Sequence, residues 1–329
     1  MAKTVCIIGG GVVGCMTALA LAKRGFKVTM VERGEVAKQS QGASSWAGAG
    51  ILFPLLPWHY NDALNMQVLA GARQYSALSA ELLAETGIDV GYLVSGMTIL
   101  NHDTAKAIGW CESNYVQFTQ KNNQLMLPNV GQIRPPRLMQ ALRAYLIKLG
   151  VNIIENTVLR PMKKDFAQLI SNQGDEFTAD YYVIASGAWS ADLSEEITIK
   201  PMRGQMLRYA NVAHLAHHIM YKDGVYIVPR KDGELLIGST VEDVGFNTNV
   251  TFSALNTLKL AAQTMIPELK NQQVAQHWTG LRPCLMPIDS LPMVAQHPIL
   301  EHLFINTGHF RYGLTIAPLS ADIISHLIV

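Results

Sequence analysis

The stretch TVCIIGGGVVGCMTALALAKRGFKVTMVE, residues 4–32, reads as a strand, a glycine turn, a helix and a second strand. A short β-branched run precedes the three consecutive glycines, and Gly25 stops the helical segment before Lys27–Glu32. A signal peptide would explain the apolar segment less well, because each glycine costs about 1 kcal/mol inside a helix. The pattern therefore predicts a βαβ unit.

The turn has the G-x-G-x-x-G spacing of dinucleotide-binding proteins, at Gly9, Gly11 and Gly14. The first glycine permits the tight turn, the second lets backbone approach a pyrophosphate, and the third lets the helix pack on the strand. The helix N-terminus would hold the pyrophosphate, and Glu32 would bind ribose hydroxyls. The candidate cofactor-binding residues here are Gly9, Gly11, Val12, Val13, Gly14, Glu32 and Arg33.

The fingerprint alone does not distinguish FAD from NAD. Residues 43–51, ASSWAGAGI, are unusually rich in small residues, which let backbone lie against a flat ring. A flexible surface loop is the alternative, but Trp46 and the following ILFPLLPW are too apolar for it. The candidate ligand-lining residues in this segment are Ser44, Ser45, Ala49, Gly50 and Ile51.

A second segment, TGHFRYGLT at 307–315, leads into a helix expected to begin near Pro318. The amides of a helix N-terminus would stabilise negative charge on the pyrimidine edge of a reduced flavin, which NAD does not need. This segment favours FAD, and a third strand and turn at 184–189 adds Gly187. The candidates at 308–315 are Gly308, His309, Phe310, Arg311, Tyr312, Gly313, Leu314 and Thr315.

Composition narrows the class of protein. The 329 residues carry a net charge of +1, without a basic cluster, so nucleic acid is not an expected partner. The four cysteines lack metal-ligand spacing, which predicts no metal site and suits a reducing cytoplasm. We expect no integral membrane segment.

The length favours two domains over one core. The dinucleotide-type pieces sit at the start, middle and end of the chain, so both domains are expected to be discontinuous. A hairpin of Val225–Val228 and Glu234–Ile237 is predicted in the second. The predicted division is 1–86, 135–200 and 281–329 for a cofactor domain, with 87–134 and 201–280 for a substrate domain.

From end to end the sequence resembles the D-amino acid oxidase superfamily of flavoproteins, and within it the glycine oxidases. Its SWAG segment, followed by PLLPW, is the most specific match. The segments that carry the resemblance are GGGVVG at 9–14, SWAGAGILFPLLPW at 45–58, VYIVPR at 225–230, GLRP at 280–283 and GHFRYG at 308–313.

The resemblance implies an α/β fold, with a Rossmann-like FAD-binding domain and a second α+β substrate domain built on an antiparallel sheet. It also implies roles for individual residues. Arg282 and Tyr226 would hold the substrate carboxylate, Arg311 would lie beside substrate and flavin, and the Val158 backbone would meet the adenine. Tyr312 departs from the family pattern, since asparagine is expected there.

The implied reaction is oxidation of glycine or another small amino acid, with hydride passing from the α-carbon to flavin N5. The products would be a 2-oxo acid, ammonia and, from molecular oxygen, hydrogen peroxide, with thiamine biosynthesis as an implied role. FAD should be non-covalent, because Cys284 lies two residues past the arginine of GLRP. Two alternatives remain open: a dehydrogenase that passes electrons to a quinone or partner subunit, and a non-catalytic flavin-binding subunit. A homo-oligomer is also left open.

Overall fold

The computed structural model describes residues 2–39, 42–162, 168–288 and 290–328. The α-helices in those ranges are α1 Val12–Lys23, α2 Ser44–Ala47, α3 Asp62–Thr86, α4 Thr104–Ser113, α5 Pro135–Lys148, α6 Phe252–Met265 and α7 Gly313–Leu327. The strands are β1 Thr4–Ile8, β2 Lys27–Val31, β3 Ile51–Leu52, β4 Leu93–Val94, β5 Met97–Leu100, β6 Thr119–Lys121, β7 Gln124–Leu127, β8 Gly131–Gln132, β9 Asn152–Ile154, β10 Leu169–Ile170, β11 Glu176–Phe177, β12 Tyr181–Ile184, β13 Lys200–Tyr209, β14 Ile219–Lys222, β15 Val225–Pro229, β16 Leu235–Gly238, β17 Gln276–Cys284, β18 Met293–Gln296 and β19 Leu303–Thr307.

Within the described residues, the first sheet has the strand order β18-β19-β12-β1-β2-β9. All its pairings are parallel except that of β18 with β19 at one edge. On β1, Val5 and Ile7 pack in one apolar cluster with residues of α1, α5 and α7, whereas Cys6 and Ile8 belong to another. Both faces of the sheet are therefore covered, as parallel strands require. The predicted βαβ unit is confirmed.

The second sheet, in the described part of the chain, has the order β17-β13-β16-β15-β14-β5-β7-β6 and is antiparallel except between β14 and β5. Alternate residues of its strands point to opposite faces. Leu207 and Ile237 pack with α6, whereas Met206 and Tyr226 share a cluster with Phe53 from the segment after β3. The predicted fold class is confirmed: a Rossmann-like α/β part and a second α+β part built on an antiparallel sheet. The predicted hairpin is confirmed as β15 and β16.

The division into two domains stays a prediction. Strand β17 crosses the boundary that we placed at residue 281, so Arg282 lies on the second sheet and not on the first. Among the described residues, no helix combines the length and the hydropathy needed to cross a membrane.

The last helix corrects the sequence-based prediction, because α7 begins at Gly313 and Pro318 lies inside it. Proline lacks the N–H that would bond the carbonyl four residues earlier, which is that of Leu314. The hydroxyl of Tyr75 on α3 donates to this carbonyl instead. A side chain from another helix thus supplies the missing donor, and the helix continues through a residue that normally ends one.

Candidate functional site

A cavity of about 610 Å³ lies against both sheets. This volume is typical of small-molecule and cofactor sites, at roughly 300–1,000 Å³. Gly14 and Gly308 do not line it. The predicted site residues that do line it are Gly9, Gly11, Val12, Val13, Glu32, Arg33, Ser44, Ser45, Ala49, Gly50, Ile51, Val158, Gly187, Tyr226, Arg282, His309, Phe310, Arg311, Tyr312, Gly313, Leu314 and Thr315.

The glycine turn after β1 is packed too closely for side chains. Gly9 has a φ of 109°, and a Cβ there would stand 2.5 Å from the Ala185 carbonyl oxygen. A Cβ on Gly14 would clash with the carbonyl oxygen of Gly9. Gly14 therefore acts through the packing of α1 on the turn, which brings the N-terminus of α1 to the cavity wall.

The N-terminus of α1 offers donors to an anion. Its N-cap residue, Gly11, has no side chain that could cap the other N–H groups of the first turn, and the Val12 N–H donates to the Ser45 hydroxyl at 2.9 Å. A Cβ on Gly11 would stand 3.1 Å from the same hydroxyl, so backbone and Ser45 form a narrow cradle. The partial positive charge of the helix end suits a phosphate there.

Glu32 braces the turn as well as facing the cavity. One carboxylate oxygen accepts the Gly10 N–H at 2.6 Å, and the other accepts the Gly34 N–H at 2.8 Å. A carboxylate has about four lone-pair sites, so two amides leave capacity for ribose hydroxyls. The structure thus gives Glu32 a role in shaping the loop that the sequence did not predict.

The small-residue segment is held in place by Arg230, which sequence reasoning did not assign to the site. Arg230 is 6% exposed, and its guanidinium donates to the carbonyl of Ile133 at 3.0 Å, to Gln132, and to the carbonyl of Ala49. Burial lowers the pKa of Arg230 to about 9. The available signal was an arginine directly after the apolar run VYIVP.

Tyr226 reaches the cavity across a glycine. It pairs with Gly238 on β16, which pairs on its other side with Met206. The Tyr226 hydroxyl donates to the Met206 sulfur at 3.2 Å, and a Cβ on Gly238 would stand 2.8 Å from that hydroxyl. The tyrosine therefore lies over the strand, is 8% exposed and lines the cavity.

A glycine on a neighbouring strand also makes room for the side chain of Arg282. Its guanidinium lies over Gly204 on β13, where a Cβ would clash with both terminal nitrogens. One nitrogen donates to the Ser239 hydroxyl at 2.6 Å and the other to the Thr240 carbonyl at 3.2 Å. Each terminal nitrogen carries two hydrogens, so donors remain beyond these two bonds, within reach of Tyr226 and of a ligand.

The charge near Arg282 is positive. Burial lowers the pKa of Arg282, the nearby Arg311 lowers it further, and Tyr226 acts in the opposite direction. Arg311 has a buried Nε without a partner, and neither arginine takes part in an ion pair within the described part of the chain. Two guanidinium groups lacking a carboxylate partner favour an anionic ligand.

His309 is 3% exposed, and burial lowers its pKa to about 4. The imidazole is consequently neutral near pH 7, and its Nε2 has no partner among the described residues. The next residue, Phe310, has a φ of 46°, an uncommon conformation for a bulky residue. Such strain at a cavity wall is typical of functional segments.

Comparisons with known proteins agree with this geometry. The family model described as "FAD dependent oxidoreductase" matches residues 4–327. The chain belongs to this family. It is 32% identical to a glycine oxidase of Pseudomonas aeruginosa, over 99% of this chain and 95% of that protein. The predicted membership in the D-amino acid oxidase superfamily, and the prediction of an FAD-dependent amino acid oxidase, are confirmed.

Two further relatives place the likeness along the whole chain. The crystal structure of glycine oxidase from Geobacillus kaustophilus superposes with a TM-score of 0.89 at 27% identity, covering 99% of this chain and 95% of that one. A protein of a Nostoc species named "Bifunctional protein ThiO/ThiG" is 28% identical over 100% of this chain and 53% of its own length.

The residues present fit FAD. The cradle of Gly11 and Ser45 suits the pyrophosphate, and Glu32 keeps free acceptors for a ribose. The N-terminus of α7, five residues nearer the turn than predicted, brings Gly313, Leu314 and Thr315 to the cavity wall. Its amide donors suit an electron-rich ring edge.

Proposed function

We propose that this enzyme oxidises glycine or another small amino acid to a 2-oxo acid and ammonia, with molecular oxygen as the acceptor. For glycine the balance is glycine, oxygen and water giving glyoxylate, ammonia and hydrogen peroxide. The observation that carries the proposal is the pair of Arg282 and Tyr226 on one face of the second sheet, both at the cavity wall. A non-covalent FAD is part of the proposal.

The chain's own residues bind and orient the substrate. Arg282 offers two N–H groups to the carboxylate, and the Tyr226 hydroxyl can turn from the Met206 sulfur, a weak acceptor, to a carboxylate oxygen. FAD, when bound, accepts the hydride that leaves the α-carbon. Orientation of the reacting atoms and exclusion of water are the protein's contribution.

Hydride leaves the α-carbon only when the substrate amine is neutral, and the charges of the site favour the neutral amine. The charges of Arg282 and Arg311 disfavour a further cation, and His309 is neutral because of its burial. Apolar side chains of Phe53, Leu55 and Met206 cover the same part of the cavity wall and limit water. No side chain is required to act as a general acid or base.

The test is oxidation of glycine, sarcosine, D-alanine and L-alanine, followed by oxygen uptake and peroxide release. Glycine, sarcosine and D-alanine should react, whereas the side chain of L-alanine would point into the flavin or the cavity wall. Equal rates on L- and D-alanine would contradict this geometry. Dye reduction without oxygen uptake would favour the dehydrogenase, and FAD binding with no turnover would favour a non-catalytic subunit.

The biological setting of the reaction is also part of the proposal. The relative named "Bifunctional protein ThiO/ThiG" and the family resemblance support a role in thiamine biosynthesis. Cys6, Cys15, Cys111 and Cys284 are free and buried, which suits the cytoplasm that we propose.

A further inference from the structure

Three side chains from separate segments stack along the cavity. The guanidinium carbon of Arg33 lies 4.4 Å from the centroid of the Trp189 ring. The ring of Phe246 stacks on the same tryptophan, with centroids 5.7 Å apart and planes 28° apart. All three residues line the cavity, and they follow β2, β12 and β16, respectively.

The loop that carries Phe246 is held on both sides of this residue by Arg203 and Thr279. Arg203, 4% exposed, pairs with Glu242 and donates to the carbonyl of Asn249 at 2.8 Å. The Thr279 hydroxyl donates to the carbonyl of Thr248 at 2.8 Å. These strands of the second sheet therefore anchor the loop at 239–251, and the phenylalanine is held against Trp189.

The stack lies at the nucleotide end of the cavity. Arg33 directly follows Glu32, the carboxylate placed for a ribose. Phe246 is nevertheless 47% exposed, although one ring face packs on Trp189. A large apolar surface fixed at the wall of a cofactor cavity gains free energy when a ligand covers it.

We propose that Arg33, Trp189 and Phe246 form a clasp that packs on the adenosine part of FAD and slows its loss. Aromatic and guanidinium faces suit a purine and its ribose, and the arginine charge favours the neighbouring phosphates. Through Phe246, the loop after β16 contributes to cofactor binding, beside the substrate-binding residues of the second sheet. The inference rests on the non-covalent FAD of the proposed function.

The test compares FAD affinity of apoprotein for Phe246→Ala and for the control Phe252→Ala. Phe252 is 77% exposed, follows the same loop and does not line the cavity. Titration by FAD fluorescence should show Kd raised by about tenfold in Phe246→Ala, because alanine leaves the apolar ring surface of the ligand uncovered. Phe252→Ala should stay within about twofold, as expected for an exposed surface position.

Phe246→Leu keeps most of the side-chain volume and removes the aromatic stack, so it tests the clasp without a cavity. Its Kd should lie between those of wild type and Phe246→Ala. Unchanged Kd in both Phe246 variants, or an equal change in Phe252→Ala, would overturn the clasp. Flavin that stays with acid-precipitated protein would overturn it too, because a covalent cofactor needs no retention. If the wild-type protein oxidises no amino acid but Phe246→Ala still binds FAD more weakly than wild type, the clasp is supported and only the proposed reaction is contradicted.

Discussion

The hydroxyl of Tyr75 on α3 bonds the carbonyl of Leu314 on α7, the carbonyl that Pro318 cannot bond. Tyr75 is 0% exposed, so removal of its hydroxyl leaves that carbonyl without a donor. We expect Tyr75→Phe to lower the free energy of unfolding by about 1–3 kcal/mol. Urea denaturation measures the free energy of unfolding. Tyr115→Phe is the control, because Tyr115 is 96% exposed and its substitution should have a small effect.

The same relationship predicts coupling between Tyr75 and Pro318. Alanine at 318 restores an N–H to bond Leu314, so the cost of Tyr75→Phe should shrink in a Pro318→Ala background. An equal cost in both backgrounds would show that the hydroxyl acts elsewhere. Since Leu314 and Thr315 line the cavity, FAD spectra should accompany each measurement.

Arg282→Ala should nearly abolish oxidation while FAD stays bound. The arginine contacts the proposed carboxylate position and not the glycine turn that suits the pyrophosphate. Loss of one partner of a buried charged pair costs about 3–5 kcal/mol, a fall in kcat/KM of at least about 10²-fold. Arg282→Lys should recover part of it, because a point charge lacks the planar fork. A near wild-type kcat/KM in Arg282→Ala would mean that Arg311, and not Arg282, binds the substrate carboxylate.

Tyr226→Phe should cost less than Arg282→Ala, since it deletes one neutral donor to a charged acceptor. We expect about 1–2 kcal/mol in kcat/KM. Steady-state kinetics with glycine at several pH values measures it. A loss as large as that of Arg282→Ala would mean that the tyrosine does more than bind the carboxylate.

Acid should destabilise the protein through His309. Its pKa in the fold is lowered to about 4 from the ordinary 6.5, so between these values the unfolded chain binds the extra proton. Stability from the neutral imidazole is therefore complete above pH 6.5 and is lost as pH falls toward 4. Unfolding free energies at pH 7 and pH 5 should differ less in His309→Gln than in wild type. An equal difference in both proteins would contradict the assignment.

The sequence predicted the parts of the fold and site that depend on local pattern. The glycine turn, α1 and the β15–β16 hairpin carry their signals in adjacent residues. The predicted start of α7 is wrong because the donor to the Leu314 carbonyl, in place of the N–H that Pro318 lacks, comes from Tyr75, far away in the chain. The residues around Pro318 in the sequence do not indicate that Tyr75 bonds the Leu314 carbonyl.

The glycines that lie beneath Arg282 and Tyr226 could not be recognised from the sequence for a similar reason. Gly204 and Gly238 look like ordinary strand glycines in the sequence. Their role is to leave space for side chains of neighbouring strands, and only the structure shows which side chains these are. Phe246 lines the cavity from a loop that Arg203 and Thr279, both distant in the chain, hold in place. These relationships join residues distant in the chain, so spacing alone does not reveal them.

Gly204 offers a test of the substrate site that leaves Arg282 itself in place. A methyl group there would clash with the guanidinium nitrogens, and a flexible side chain can move aside, so the fold should survive. Displacement by about 1 Å can cost roughly 10²-fold in rate. We therefore expect Gly204→Ala to lower kcat/KM for glycine by about 10–100-fold, with the FAD spectrum unchanged. Gly109→Ala on α4 is the matched control, because a Cβ there meets nothing within 4 Å.

Coupling decides whether Gly204 acts through Arg282. In an Arg282→Lys background the forked guanidinium is absent, so Gly204→Ala should add little further loss, and the two substitutions should show a non-additive double-mutant cycle. Losses that simply multiply would mean that the glycine supports the sheet and not the arginine. An activity of Gly204→Ala equal to that of Gly109→Ala would mean that the guanidinium has room to bind the carboxylate from another position.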